Sequence, residues 1–427
     1  MPSRTYAAML KACGSAALLA FSVAGCDLDS LLDVSDPSRL LSENVEVPAQ
    51  AGALANGVEA DFICAFGAYV VTTADFSDEL EDASSQGGIW SVDRRRPEPQ
   101  DSWGGNDCTA VLPGIYVSAS RARWVADNLA RLLEGWTDAE VASRQKLLAR
   151  SHLLAGFSLY MLAASHCEIA LDLGPRVTSA QAFAEAETRF TKAMEAAEAA
   201  GQTDIKNAAL VGRARVRLFL GNKAGALADA QAVPAAFVMK ITPSDAAPRM
   251  YNRVWSSVPQ SFNFSVPEWS RNLKTAGVVD PRTGVIDTKR VSQWSPGSVW
   301  APTKYPTAST ALPIARWEEA QLIIAEVQGG QTAVAIINKL RDKYSLPHFS
   351  STNESEILQA VVDERQRELW FEGFRMYDIN RLNLPLYPAV GADYQAGIKG
   401  GTYGPDRCLP LPNVELFNNP TIRGGGD

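Results

Sequence analysis

Between Pro113 and Pro234 apolar residues recur at helical spacing almost without a break, and this run constrains the fold more than any other feature of the chain. Ile115 to Leu133 forms one helix, closed near Gly135. Asp138 caps a second that runs to about His166, with Ala142, Leu147, Leu148, Leu153, Leu154, Phe157 and Tyr160 on its inner face. A third, Ala-rich helix starts at Thr178 or Ser179 and stops at Gly201. A fourth starts at Thr203 or Asp204 and stops at Gly221, and a short fifth covers Lys223 to Val233, ahead of Pro234.

In the last two helices the small residues Ala214, Gly221, Ala226 and Ala230 echo the tetratricopeptide pattern, in which two antiparallel helices approach closely and only small side chains fit between them. After Pro234 the character changes. As far as about Pro313 the chain is rich in Pro, Ser, Thr and Asn, and helical periodicity disappears. A second irregular stretch runs from Ser77 to Pro113. Long segments of this kind in a compact protein are commonly functional. Helices resume from Ile314 to Gln328 and from Thr332 to Tyr344. A last one is capped by Asn353, with Glu356 three residues on as a capping-box partner, and stops at Gly373.

The N-terminus has its own logic. Arg4 and Lys11 precede a short apolar stretch, Ala12 to Val23, which has the layout of a signal peptide and is too short to span a bilayer. It ends in Val23-Ala24-Gly25-Cys26, which resembles the lipobox of bacterial lipoproteins. The resemblance implies cleavage before Cys26 and lipid on its thiol, a durable anchor. The alternative is an ordinary signal peptide with a chance cysteine. Asp27 leaves the inner membrane and export to the cell surface both open. No other segment reads as long and apolar enough to span; the best run, Leu153 to Ala164, has the length of a core helix.

Charge and cysteines narrow the function. The leader holds two of the 40 bases and no acid, which leaves 48 acids against 38 bases and argues against nucleic acid as a partner. Four cysteines remain beyond the leader and anchor: Cys64, Cys108, Cys167 and Cys408. They fit no CxxC metal pattern, and in an oxidising compartment they allow three pairings. The favoured one joins Cys64 to Cys108 locally and staples the end of a helix to the tail through Cys167 and Cys408. Reduced buried thiols are the alternative.

The C-terminal helices resemble the SusD/RagB family of outer-membrane substrate-binding lipoproteins. Arg316-Trp317-Glu318-Glu319-Ala320-Gln321-Leu322-Ile323-Ile324-Ala325-Glu326 is similar to that family's R-x-A-E-x-x-L-x-x-A-E-A helix, and Ala335 to Arg341 to its A-x-x-x-I-N-x-V-R helix. Glu364 to Arg381 is close to the hallmark E-R-x-x-E-L-x-F-E-G-x-R-x-x-D-L-x-R. Cys408-Leu409-Pro410-Leu411-Pro412, then Glu415 and Asn418-Asn419-Pro420, is similar to the P-I-P-x-x-E-x-x-x-N-P ending.

The resemblance implies a mainly all-α fold, a tetratricopeptide-like scaffold of helical pairs with long irregular ligand-facing loops. The organisation it suggests is a signal peptide over 1–25, a lipidated tether over 26–50 and a single domain over 51–427. Scaffold would occupy about 114–234 and 314–381, and ligand-facing segments about 77–113 and 235–313. It further implies a lipid-anchored, surface-exposed outer-membrane protein, partnered by a SusC-like TonB-dependent transporter to which it passes an oligosaccharide or a peptide, with no cofactor or metal.

Catalytic readings are weaker. Glu364, Glu368 and Glu372 recur every four residues on one helix face. Di-metal chemistry would need Glu-x-x-His partners, and His152, His166 and His348 do not supply them. Glycosidase carboxylates face each other from different elements. Arg365, Arg367, Arg375 and Arg381 can neutralise the three glutamates structurally. Walker, Rossmann, HExxH and G-x-S-x-G motifs are absent. His152 and His166 read as structural. A non-enzymatic binding protein is therefore expected, with an envelope scaffold protein and a secreted glycoside hydrolase as the rivals.

Tryptophan stacks well on the apolar faces of sugar rings. Six of the ten tryptophans fall in the two irregular stretches. The candidate ligand-binding residues are Trp90, Trp103, Trp255, Trp269, Trp294, Trp300 and Tyr305, whereas Trp124, Trp317 and Trp370 are expected in the core.

Overall fold

Helix packing organises the chain. In a computed structural model, residues 45–85, 89–110, 112, 114–291, 297–397 and 399–424 are described, and Glu46–Asp427 forms one unit. Cys26, the leader and most of the tether lie outside the described residues, as does Trp294. The long helices are α1 (Ala51–Phe76), α2 (Ile115–Gly135), α3 (Arg144–Ser165), α4 (Ser179–Ala199), α5 (Thr203–Phe219) and α6 (Lys223–Gln231). They are followed by α7 (Trp317–Gln328), α8 (Gly330–Asp342), α9 (Glu354–Glu368) and α10 (Arg375–Arg381). Each of the first six packs on its successor, α6 then meets α7, and α7, α8 and α9 pack on one another. The fold is the mainly all-α scaffold of helical pairs expected from the sequence.

Local chemistry explains these elements. The Thr178 hydroxyl accepts from the Gln181 backbone N–H, and the Gln181 side chain accepts from Thr178, a complete capping box at the start of α4. Asn353 accepts from the backbone of Ser355 and Glu356, but the Glu356 carboxylate takes the Ser351 hydroxyl instead of closing a box. On α4, Phe190 is fully buried, and its ring slots between Gly156 of α3 and Gly212 of α5. A Cβ at either glycine would lie 2.8 or 2.5 Å from that ring, so these two glycines set the interhelical approach. Gly221, read above as a packing residue, instead ends α5 at positive φ, while Ala214, Ala226 and Ala230 are buried as expected.

Several boundaries differ from the sequence reading. α3 starts at Arg144, not Asp138, because Thr137 and Glu140 close a turn of their own and Asp138 pairs with Arg144. α7 starts at Trp317 because Leu312–Arg316 is extended and pairs antiparallel with Val238–Ile241. The stretch after Pro234 is not structureless: it also holds the antiparallel pairs Lys274–Thr275 with Val278–Val279 and Val285–Val291 with Ser298–Pro302. α1 was not expected at all. From Asp61 to Phe76 every residue except Thr72 is buried, so no polar face marks the period. By length and composition α1 (with the turn before it) and α3 could each cross a membrane, contrary to the sequence reading; both are mostly buried in the protein core.

Two disulfides fix the irregular parts to this core. Cys64 on α1 is bonded to Cys108, and Cys167, just after α3, to Cys408. Beside the second, Cys167 donates to the Leu409 carbonyl and Leu409 to the Ser165 carbonyl, so the tail is laid along the end of α3. Trp317 and Trp370 are buried, but Trp124 is 51 % exposed on the outer face of α2, not in the core.

Candidate functional site

Three irregular segments converge on a cleft of about 720 Å³. Strand Ser298–Pro302 supplies Trp300, whose cross-strand partner is Asp287. The turn Glu268–Ser270 and the residue after it supply Glu268, Trp269 and Arg271. The tail supplies Tyr387, Pro388, Asp393, Gln395 and Tyr403, and Glu81 closes one wall from a short pairing with Ser265.

The aromatic groups are held firmly. Trp269 donates from Nε1 to the Asp78 carbonyl at 3.2 Å, and its ring meets Tyr387 edge to face at 5.3 Å. Tyr387 stays half-exposed beside it. Its carbonyl and that of Pro388 accept from the buried guanidinium of Arg95. Arg271 lies 4.8 Å over the Trp300 ring and donates to the Val266 carbonyl at 2.8 Å. Gln395 Oε1 is buried without a protein partner among the described residues, and Gln395 and Tyr403 both belong to the cleft lining. Such a group suits ligand hydroxyls, because a buried polar atom left unpaired is costly.

Of the residues singled out in the sequence, this cleft unites Trp269 and Trp300. Trp90 stands behind it, half-buried, donating to the Ser84 carbonyl and carrying the Lys399 ammonium 5.0 Å over its ring. Trp255 packs edge to face on Tyr251, away from the cleft. Trp103 and Tyr305 are corrections to the expectation. Trp103 is buried against His166 under the tail, and Tyr305 is buried with its hydroxyl donating to the Phe371 carbonyl. Tyr387, Tyr403, Gln395 and Arg271 were missed. Only Tyr387, an aromatic ahead of a proline in a loop-rich tail, carries a local signal.

The charged hallmark helix is structural, but its partners are not those expected. Glu364 is held by Arg282 and Arg341, Glu368 by Arg282 and Arg316, and Glu372 by Arg316 and Lys304. Arg365 pairs with Asp378, Arg375 with Asp78 and Arg381 with Glu326, while Arg367 donates to backbone carbonyls. Among the described residues no group of three or more His, Cys, Asp or Glu side chains could hold a metal ion.

Behind the cleft, burial pushes the Glu79 carboxyl up to about 8 and Glu81 to about 7, with Asp78 and Asp93 respectively as the nearest repelling charges. Asp75, Asp82 and Asp93 are also raised, chiefly by burial. The folded state therefore holds protons that the unfolded chain releases, and this contribution to stability is lost as pH rises through 7 to 8. Burial lowers His152 to about 4 and His166 to about 3, so their effect has the opposite sign but is confined below about pH 6.5. Above pH 6.5, where the histidines no longer contribute, stability should fall by roughly 2–3 kcal/mol toward pH 9. Urea titrations across that range check it, and Glu79→Gln should flatten the decline.

The helical-pair scaffold is the fold of solved SusD superfamily structures. The solved structure of a SusD superfamily protein from Bacteroides vulgatus superposes with a TM-score of 0.66 at 14% identity, over 88% of this chain and 97% of that one. A laminarin-binding SusD-like protein superposes with a TM-score of 0.61 at 15% identity, over 86% of this chain and 97% of that one. Residues 270–419 match the model of the SusD family. SusD-like protein P2 from Formosa agariphila is 31% identical over 122 residues, which span 25% of this chain and only 24% of that relative.

Proposed function

We propose that the protein is a non-enzymatic glycan-binding lipoprotein that captures oligosaccharides in the Trp269–Trp300–Tyr387 cleft. Lipid on Cys26 holds it at the outer membrane, and it passes its ligand to a SusC-like TonB-dependent transporter. The observation that carries this reading is the cleft itself: fixed aromatic rings beside polar side chains, which is the chemistry a sugar ring requires. The fold shared with a laminarin-binding protein supports it. The cleft carries Glu268, Asp287 and Asp393, with Glu81 paired to its one arginine, Arg271, so neutral glycans suit it better than uronates.

Calorimetric titration of the purified soluble domain against neutral glycans, uronates and peptides tests the ligand class. Saturable binding of a neutral oligosaccharide without release of reducing ends is expected. Turnover would turn the cleft carboxylates into catalytic groups and sink the binding reading, and a peptide-only response would sink the glycan assignment. Pull-down from detergent-solubilised envelopes should recover a large barrel protein, and a Cys26→Ala chain should be released from the membrane fraction.

A further inference from the structure

A second cleft, of about 650 Å³, shares no lining residue with the first. Strand Val238–Ile241, α7 and α8 contribute to its walls. Six cations line it, Lys240, Arg282, Lys304, Arg316, Lys339 and Lys343, against three acids, Glu318, Glu368 and Glu372.

The acids are not what the cleft offers to solvent. The side chains of Glu368 and Glu372 are 1% and 3% exposed, and their oxygens are taken up by Arg282, Arg316 and Lys304. Glu318 is paired with Lys343 and Arg316. The lysines are different. Lys240 and Lys339 are exposed and have no acid partner among the described residues. Lys339 and Lys343 sit four residues apart on α8, and their ammonium groups lie 4.7 and 4.9 Å from the centre of the same Trp317 ring. Like charges at that helical spacing repel. Two ammonium groups gathered at one indole, with Lys240 lining the same cleft, make a positive field in a chain whose net charge is −8.

We propose that this cleft is a binding site for a small multivalent anion carrying carboxylates or sulfates, with Lys240 and Lys339 as its principal contacts and Lys343 as a third. Its volume suits a small molecule, not a folded partner. The site stands independently of the glycan cleft, and either can fail alone.

Citrate and a sulfated disaccharide are the probes, titrated calorimetrically into the folded domain at low ionic strength, with the unsulfated disaccharide as control. At least one anion should bind, and affinity should fall steeply as salt is raised, because the contacts are charge-based. Citrate alone or the sulfated sugar alone would each support the site and assign its preferred charge. Lys240→Gln/Lys339→Gln should weaken binding roughly tenfold or more. Both residues are exposed, so the variant should fold, and Lys240→Gln alone provides the check if it does not. Trp269→Ala should leave anion affinity unchanged. The proposal is overturned if neither anion binds, or if the lysine variants bind as tightly as the parent.

Discussion

Replacing Arg215 with methionine should destabilise the fold by roughly 3–5 kcal/mol. Arg215 on α5 forms a two-point ion pair with Glu319 of α7, at 2.6 and 2.7 Å, and donates to the Ile314 carbonyl at 2.8 Å. The two side chains are only 3% and 2% exposed. The guanidinium also lies over the rings of Tyr160 and Phe374, at 4.6 and 4.5 Å, so it ties α3, α5, α7 and the segment before α10 together. Methionine can fill most of the volume but leaves a carboxylate in the core with no countercharge. Burial already raises the Glu319 carboxyl despite its partner. In the variant Glu319 would take up a proton, and the penalty would grow with pH. Adding Glu319→Leu should recover most of the loss, because well-packed apolar pairs replace buried ion pairs at little cost. Urea unfolding of the single and double variants at pH 6 and pH 8 checks this. A single variant within about 1 kcal/mol of the parent would show that the pair is not a core contact.

The scaffold was largely legible because its signals are local. Thr178, Gly201 and Gly221 mark helix ends within a few residues of where they act. α1 escaped because burial on all sides erases the polar–apolar alternation that a sequence can show. The cleft is the opposite case. Its residues run from Glu81 to Tyr403, and no local pattern announces that the tail will fold back against strand Ser298–Pro302. Trp103 looks as exposed in sequence as Trp269, lying between Ser and Gly. It is buried because the tail packs on its neighbour: a Cβ on Gly104 would meet Pro412 at 2.4 Å. Glu364 and Glu368 could be placed on one helix face, but Glu372 lies past the end of α9, where Phe371 turns to positive φ, and the partners Arg282 and Arg316 come from distant segments.

The cleft yields the sharpest functional expectation. Trp269→Ala and Trp300→Ala should each reduce oligosaccharide affinity by about ten- to a hundredfold, and together abolish measurable binding. An indole contributes a large rigid contact area, and its worth to a ligand depends on being fixed before binding. Trp269 meets that condition through its bond to the Asp78 carbonyl and its edge contact with Tyr387. Trp300 meets it through strand pairing and the Arg271 guanidinium. Trp269 stands outside the core, so Trp269→Ala should stay close to the parent's unfolding midpoint, whereas Trp300 packs partly against the core and its variant should be titrated below its own midpoint. Trp255→Ala is the matched control. It removes an equally large, half-buried indole outside the cleft, so affinity should not change. If Trp255→Ala weakens glycan binding while Trp269→Ala does not, the ligand sits elsewhere on the irregular face and the assignment of this cleft falls.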